Sequence, residues 1–300
     1  MPLRPLFDYL LLASLWGASF MFMQLAVGDF GPLPTAAVRL GVAALCLMPL
    51  AALRGQLGVI RRHAWQLVVV GVLSSGLPAV LYSFAVMHIP TGISAILNAT
   101  TPMFGALVAW AWVKDRPNAS RALGLLIGFA GVALLASGNH ASGPAASSDG
   151  LTQIAAIVAC LVACLCYGAA ASFTKVYLSE VPPLATAAGS QMGAALVLVL
   201  PALTQLPPRM PSASAWGAAV AVGVLCTGLA YVLYFRIIQS LGPARAITVP
   251  YVIPVFALFY GIVFLGEALT LRMVGCGVVI ALGTAMATGL LRLPHRQARA

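Results

Sequence analysis

Acidic side chains are scarce in this sequence, with six Asp and Glu among 300 residues. All six fall at or beyond the ends of hydrophobic runs, so no two carboxylates are placed to work as a pair. The sequence also lacks a glycine-rich phosphate loop, an HExxH pair and a GxSxG turn. Enzymes need convergent nucleophiles, bases or metal ligands. We therefore expect no enzyme, no catalytic residue, no metal and no cofactor.

Charge of either sign is rare, at 7% of the residues against about 25% in an average soluble domain. Hydrophobic residues make up 61% of the chain. No water-soluble fold could bury that much apolar surface, so lipid must surround most of the chain. The six cysteines lie inside apolar runs without CxxC spacing, which is typical of small core residues.

The sixteen basic residues give a net charge of +10. They lie between hydrophobic runs rather than along one face with aromatics, which excludes nucleic acid as a partner and favours contacts with lipid. A cytoplasmic N-terminus places thirteen of them inside and only Arg209 and Arg272 outside, with Arg39 within the membrane. This bias predicts a multi-pass protein of the bacterial inner membrane with both termini in the cytoplasm.

A bilayer core needs roughly 20 apolar residues of helix. Ten such windows predict an all-α integral membrane protein with spans near 7–27, 34–53, 65–87, 92–113, 120–137, 152–174, 185–203, 216–238, 246–265 and 272–291. The Gly, Ala and Ser content of residues 138–151 indicates a linker. The predicted organisation is a first five-helix repeat at 7–137, a second at 152–291 and a basic tail at 292–300.

An internal repeat appears when the chain is shifted by 152 residues. The shift aligns Gly71-Val72-Leu73 with Gly223-Val224-Leu225, and Val80-Leu81-Tyr82 with Val232-Leu233-Tyr234. Pro102 then meets Pro254, while Trp16-Gly17 meets Tyr167-Gly168 one residue out of step. Five spans per repeat, an odd number, would give the two halves opposite orientations in the membrane, as in many transporters.

These motifs carry a family resemblance. Trp16-Gly17-Ala18-Ser19-Phe20, the segment from Pro34 to Arg39, Pro102, Pro254 and Gly266-Glu267 resemble the paired EamA repeats of the drug/metabolite transporter superfamily. The resemblance covers 7–137 and 152–291. It implies ten helices, a central cavity and, in bacterial members, export of amino acids and other metabolites. The first repeat departs from the pattern, with Lys114-Asp115 where Gly-Glu is usual.

Span four carries a polar stripe of Ser94, Asn98 and Thr101 at i, i+4 and i+7. Such groups either bond between helices or line a cavity. Proline at 102 and at 254 removes a backbone donor, which predicts helix breaks that serve as hinges or site elements, with a simple packing kink as the alternative.

Aromatic and hydroxyl side chains on the other spans complete the predicted substrate cavity, although tyrosines can also form an interfacial belt. Aromatic walls with few polar anchors suit flat or apolar solutes. The predicted cavity residues are Trp16, Ser75, Tyr82, Ser94, Asn98, Thr101, Tyr167, Gln191, Thr227, Tyr231, Tyr234 and Tyr251.

Two cations are candidate contacts for a substrate carboxylate. Arg39 lies about one turn inside span two, where Gln191 holds the matching place in the second repeat, and Lys175 lies near the inner end of span six. Arg39 could instead snorkel outward or pair with Asp29. No acid lies deep in a span, so we expect facilitated transport rather than visible proton coupling.

The sequence thus predicts a transporter that moves neutral or aromatic amino acids, or similar small molecules, outward by alternating access. A membrane-embedded enzyme or lipid-handling protein and a non-transporting scaffold subunit are the alternatives. Gly124 and Gly128 form a GxxxG face, which predicts close helix packing or a weak homodimer, and the chain is otherwise expected to be a monomer.

Overall fold

The computed structural model describes residues 3–114, 117–138, 149–242 and 248–291. Within these ranges the chain is helical, which confirms the predicted all-α class. Eight helical stretches are long and apolar enough to cross a membrane, and two shorter apolar helices follow them. In chain order, α1 to α10 are Arg4–Phe30, Pro32–Leu53, Ala64–His88, Thr91–Trp112, Ala119–Ala136, Gly150–Tyr177, Pro183–Leu203, Ala213–Leu241, Val249–Leu265 and Leu271–Ala287.

Several boundaries follow from local chemistry. Gly31, at φ 76°, separates α1 from α2, and Pro32 starts α2 where a missing N–H does no harm. Asp149 caps α6 by accepting a hydrogen bond from Thr152 N. A short helix, Leu57–Arg62, lies between α2 and α3 and was not predicted. The basic tail and most of the predicted linker lie outside the described residues.

The two halves share irregularities as well as helices. A π-helical turn interrupts α3 at Val72–Gly76 and α8 at Val224–Leu229, 152 residues later. Thirteen-residue helices, Thr101–Val113 and Ile253–Leu265, form the second parts of α4 and α9 with the same spacing. Because these features are rare in membrane helices, their recurrence at one offset indicates a structural repeat.

The ends of α4 and α9 match in conformation although their residues differ. Lys114 ends its helix in the left-handed region at φ 63°, and Gly266 does so at φ 66°. The next capping positions also correspond, since Asn118 accepts from Arg121 N and Thr270 accepts from Met273 N. Lys114 therefore departs from the family pattern in sequence but keeps its backbone geometry. Asp115 lies outside the described residues.

Contacts between the repeats follow a twofold pattern. Equivalent helices meet each other, α2 against α7 and α5 against α10, while α3 and α4 pack on α6 as α8 and α9 pack on α1. Each of these contacts therefore has a counterpart in the other half, whereas α1 also packs on α3 and α4. An ion pair at one end of the bundle links α1 to α8, with Asp8 Oδ2 2.9 Å from the guanidinium of Arg236.

Glycines allow the closest of these approaches. A Cβ at Gly17 of α1 would lie 2.7 Å from Phe256 Cβ, and one at Gly168 of α6 would lie 2.9 Å from the carbonyl carbon of Phe104. On the predicted GxxxG face, Gly124 and Gly128 meet Gly283 of α10. That face is therefore covered within the chain, which agrees with the predicted close helix packing and leaves no need for a dimer to bury it.

Candidate functional site

A central cavity of about 350 Å³ lies where both repeats meet. It is bounded by α1, α2, α3 and α4 of the first repeat and by α6, α7, α8 and α9 of the second, while α5 and α10 stand apart from it. Its described wall consists of Trp16, Ser19, Phe20, Met23, Arg39, Leu40, Ser74, Ser75, Ala79, Tyr82, Asn98, Thr101, Tyr167, Gln191, Cys226, Thr227, Tyr231, Tyr234, Pro250 and Ile253.

Most of the predicted site residues belong to this wall. The wall includes ten of the twelve predicted cavity residues, namely Trp16, Ser75, Tyr82, Asn98, Thr101, Tyr167, Gln191, Thr227, Tyr231 and Tyr234, and also Arg39. The sequence argument missed Ser19 and Phe20, although both belong to the quoted motif Trp16-Gly17-Ala18-Ser19-Phe20. It also missed apolar wall residues such as Met23 and Cys226, because an apolar wall residue and an apolar core residue look alike in sequence.

Three predicted residues lie elsewhere. Ser94 is fully buried in helix packing, where its hydroxyl donates to the carbonyl of Pro90 at 3.4 Å. The hydroxyl of Tyr251 pairs with that of Thr288 at 3.3 Å, outside the wall. Lys175 is exposed on the outer surface of α6. Ser94 and Tyr251, predicted in the cavity, thus lie outside its described wall, and Lys175, a candidate carboxylate contact, does not belong to that wall either.

A break divides α4 between the residues of the predicted stripe. The first part of the helix ends at Asn98, and the second part begins at Thr101. Ser94 and Asn98 share a face within the first part, but Ser94 lies one turn farther from the break, at a level of the helix where packing buries it completely. Pro102 lies in the first turn of the new helix, and Pro254 holds the same place in α9 after the 3₁₀ turn Val249–Tyr251. The predicted breaks are present, and their role as hinges stays a prediction.

A hydrogen-bonded cluster anchors the wall beside this break. The hydroxyl of Tyr82 donates to Asn98 Oδ1 at 3.0 Å, and Thr101 donates to the same oxygen at 3.4 Å. The Cys164 thiol donates to the carbonyl of Leu97, also at 3.4 Å. Polar groups freed by the break are thus satisfied by neighbouring side chains, as irregular backbone at membrane depth requires.

Two aromatic pairs line the cavity, and each pair joins the two repeats. Trp16 of α1 and Tyr234 of α8 have ring centroids 5.6 Å apart. Tyr167 of α6 and Tyr82 of α3 have centroids 6.4 Å apart and rings inclined by 25°. Each repeat therefore contributes one member to each pair, and the wall offers flat apolar surfaces on two sides.

Two hydrogen-bonded polar pairs also join the two repeats in the wall. Arg39 Nε on α2 donates to Thr227 Oγ1 on α8 at 3.3 Å. Gln191 Nε2 on α7 donates to Ser75 Oγ on α3 at 2.8 Å. Arg39 and Gln191 are 152 residues apart, as are Ser75 and Thr227, and both hydroxyls lie in the π-helical turns. The two pairs therefore occupy equivalent positions in the two repeats, but the donor is a cation in one pair and a neutral amide in the other.

The charge of the wall comes from Arg39. Among the described wall residues no other side chain is charged. The predicted alternatives for Arg39 are not found, because its guanidinium turns toward Thr227 and also contacts Met23 Sδ at 3.3 Å. Asp29, its proposed partner, instead accepts hydrogen bonds from the backbone and hydroxyl of Ser212. Within the described chain no carboxylate lies within ion-pair distance of Arg39.

Comparison with known proteins agrees with this architecture. The model of the EamA-like transporter family matches residues 6–137 and 154–289. The uncharacterized transporter YoaV of Bacillus subtilis is 23% identical over 278 residues, covering 91% of this chain and 93% of its own. The uncharacterized inner membrane transporter YedA of Escherichia coli K12 is 27% identical over 287 residues, covering 93% and 89%.

Two further matches bear on substrate and fold. A probable terminal-alkyne amino-acid exporter of Streptantibioticus cattleyicolor is 27% identical over 258 residues, covering 84% of this chain and 82% of its own. A crystal structure matches with a TM-score of 0.65 at 20% identity, covering 96% of this chain and 97% of that chain. At that identity the match shows a shared fold.

Proposed function

Because this chain belongs to the EamA-like transporter family, and is a multi-pass membrane transporter, we propose that its central cavity carries small organic metabolites across the membrane by alternating access. Neutral or aromatic amino acids are the proposed solutes, and export is the proposed direction. The single observation that carries the proposal is the cavity itself, whose wall combines paired aromatic rings with a few polar anchors drawn equally from both repeats.

The cavity suits such solutes in size and chemistry. Its volume of about 350 Å³ falls within the range of small-molecule sites, roughly 300–1,000 Å³. Aromatic faces at Trp16, Tyr82, Tyr167 and Tyr234 offer stacking surfaces to a flat or apolar side chain. The amino-acid exporter among the relatives supports this class of solute.

The twofold arrangement of the wall supports alternating access. Several contacts between the helices of one repeat and those of the other occur twice, once in each half, so a rocking motion could close one end of the cavity as it opens the other. The breaks before Pro102 and Pro254 are the proposed hinges, since a broken helix has fewer backbone hydrogen bonds to resist bending. We place the protein in the bacterial inner membrane with both termini cytoplasmic, consistent with the inner membrane transporter YedA.

The test is a counterflow assay on the purified protein in proteoliposomes with amino acids, sugars and nucleosides as solutes. We expect amino acids to exchange, and we expect Tyr82→Ala and Asn98→Ala to reduce exchange while the protein elutes as a folded monomer or dimer. A proton ionophore should leave facilitated exchange unchanged. An enzyme or scaffold subunit would show no exchange of any solute, and that result would end the proposal.

A further inference from the structure

The two equivalent polar pairs of the cavity differ in charge. Arg39 brings a cation that has no carboxylate within reach among the described residues. A cation held in a poorly solvated cavity is unfavourable until an anion approaches it. The Arg39 end of the cavity therefore favours an anionic group on a bound solute.

The other pair offers a neutral acceptor. Gln191 is fully buried, and while its amide nitrogen donates to Ser75, its Oε1 has no hydrogen-bond partner. A buried acceptor left unsatisfied destabilises the empty state, and a donor supplied by a solute would remove that penalty. The Gln191 end therefore favours a group with N–H donors.

One helix brings the two ends together. Thr227, the partner of Arg39, and Tyr231 lie one turn apart on the same face of α8. The hydroxyl of Tyr231 lies beside the side chains of Ser75 and Gln191. The Arg39–Thr227 pair and the Gln191–Ser75 pair therefore both adjoin α8 in the wall of the cavity.

We propose that Arg39 binds the carboxylate and Gln191 Oε1 binds the ammonium group of a zwitterionic α-amino acid, which makes these two residues the specificity determinants of transport. The assignment rests on the proposed function of the cavity. An α-amino acid carries both groups on one carbon, and each group is bound by one of the two pairs. The side chain of the solute then points toward the aromatic pairs.

The experiment uses the amino acid that exchanges fastest in counterflow, together with two competitors that each lack one group. One competitor is the amide of that amino acid, which has no carboxylate, and the other is its deaminated acid, which has no ammonium. For wild-type protein, both competitors should inhibit at least about tenfold less well than the amino acid, because each loses a hydrogen bond to a charged group.

Substitutions test the roles of Arg39 and Gln191 one at a time. Gln191→Leu should weaken binding of the amino acid about tenfold and leave binding of the deaminated acid unchanged. Arg39→Gln should weaken binding of both compounds, because both carry a carboxylate. Arg39→Lys keeps the charge and should retain part of the affinity. Lys175→Gln removes an exposed cation outside the cavity and should behave as wild type. Monodisperse elution and an unchanged melting temperature check that each variant is folded.

Three results would overturn the assignment. Equal inhibition by the amino acid and either competitor would remove the need for two anchors. Exchange of sugars or nucleosides but of no amino acid would refute the zwitterion while leaving the transport function intact. Absence of exchange for every solute would refute the transport function and the assignment with it.

Discussion

The carboxylate of Glu267, in the second repeat, accepts hydrogen bonds from the backbone N–H of Thr91 at 2.6 Å and of Gly92 at 3.2 Å, in the first. These groups start α4, where a helix leaves its first N–H groups without partners. Glu267 is 5% exposed and its negative charge suits the positive end of the helix dipole. An acidic residue of the family motif thus has a structural role in joining the repeats.

We expect Glu267→Gln to lower the free energy of unfolding by about 1 kcal/mol, the usual effect of losing a helix cap. Gln keeps one acceptor oxygen but turns an NH₂ group toward the backbone donors and carries no charge. Thermal unfolding in detergent measures the loss. Glu180→Gln is the matched control, because Glu180 is exposed in the turn before α7. Equal melting temperatures for the two variants would contradict the capping role.

The second prediction concerns the left-handed backbone conformation of Lys114. Lys114 has φ 63° at the position where the second repeat has Gly266 at φ 66°. A residue with a Cβ is strained in this region by about 1 kcal/mol, whereas Gly is not. Lys114→Gly should therefore raise the free energy of unfolding by about that amount. The reciprocal variant Gly266→Lys should lower it, and a change of the same sign in both would disprove the explanation.

The packing of α5 against α10 depends on Gly283. A Cβ at this position would overlap the backbone of Gly128. We expect Gly283→Val to destabilise the protein by about 2 kcal/mol through overpacking. Gly275→Val, on the same helix, carries the same change in helix propensity but meets nothing within 4 Å. Melting curves in detergent should therefore show a lower melting temperature for Gly283→Val than for Gly275→Val. Coincident curves would contradict the tight packing of α5 against α10.

The hydroxyl of Tyr82 tests the cavity wall without removing its ring. Tyr82→Phe deletes the hydrogen bond to Asn98 Oδ1 and leaves this oxygen with only the longer bond from Thr101, so the Asn98 side chain is held less firmly in the wall. We expect exchange of amino acids to fall by about three- to tenfold, the kinetic equivalent of one hydrogen bond. Tyr251→Phe removes a hydroxyl that pairs with Thr288 outside the wall, so its exchange rate should match wild type. A similar loss in both variants would argue for a general effect of tyrosine hydroxyls on stability.

Much of the fold could be predicted because the relevant signals are local. Apolar runs of membrane length locate the helices, since each span must satisfy its own backbone in lipid. The constant offset between Tyr82 and Tyr234, and between Pro102 and Pro254, reveals the repeat in the order of the residues alone. Of the described helices, α10 is shorter than its window because it ends at Ala287, and α9 begins with a 3₁₀ turn at Val249–Tyr251.

The composition of the site was harder to predict. Tyr231 and Tyr234 face the cavity as their helical spacing suggested, because α8 runs on as a regular helix after its π turn. Ser94 also has helical spacing from Asn98 but does not reach the cavity, because packing buries that turn of α4 completely. Arg39 was expected to pair with Asp29 or reach the surface, yet it reaches Thr227 on a helix 188 residues away in sequence.

The sequence alone determined that this chain is a membrane-spanning bundle made of two related halves, because hydropathy and repetition are properties of residues along one chain. Only the tertiary structure decided which face of each helix meets the cavity, that Glu267 caps α4, and that Arg39 and Gln191 occupy equivalent sites beside Thr227 and Ser75. These relationships join helices far apart in sequence, and their geometry depends on breaks, π turns and glycine contacts that set how the helices rotate against each other.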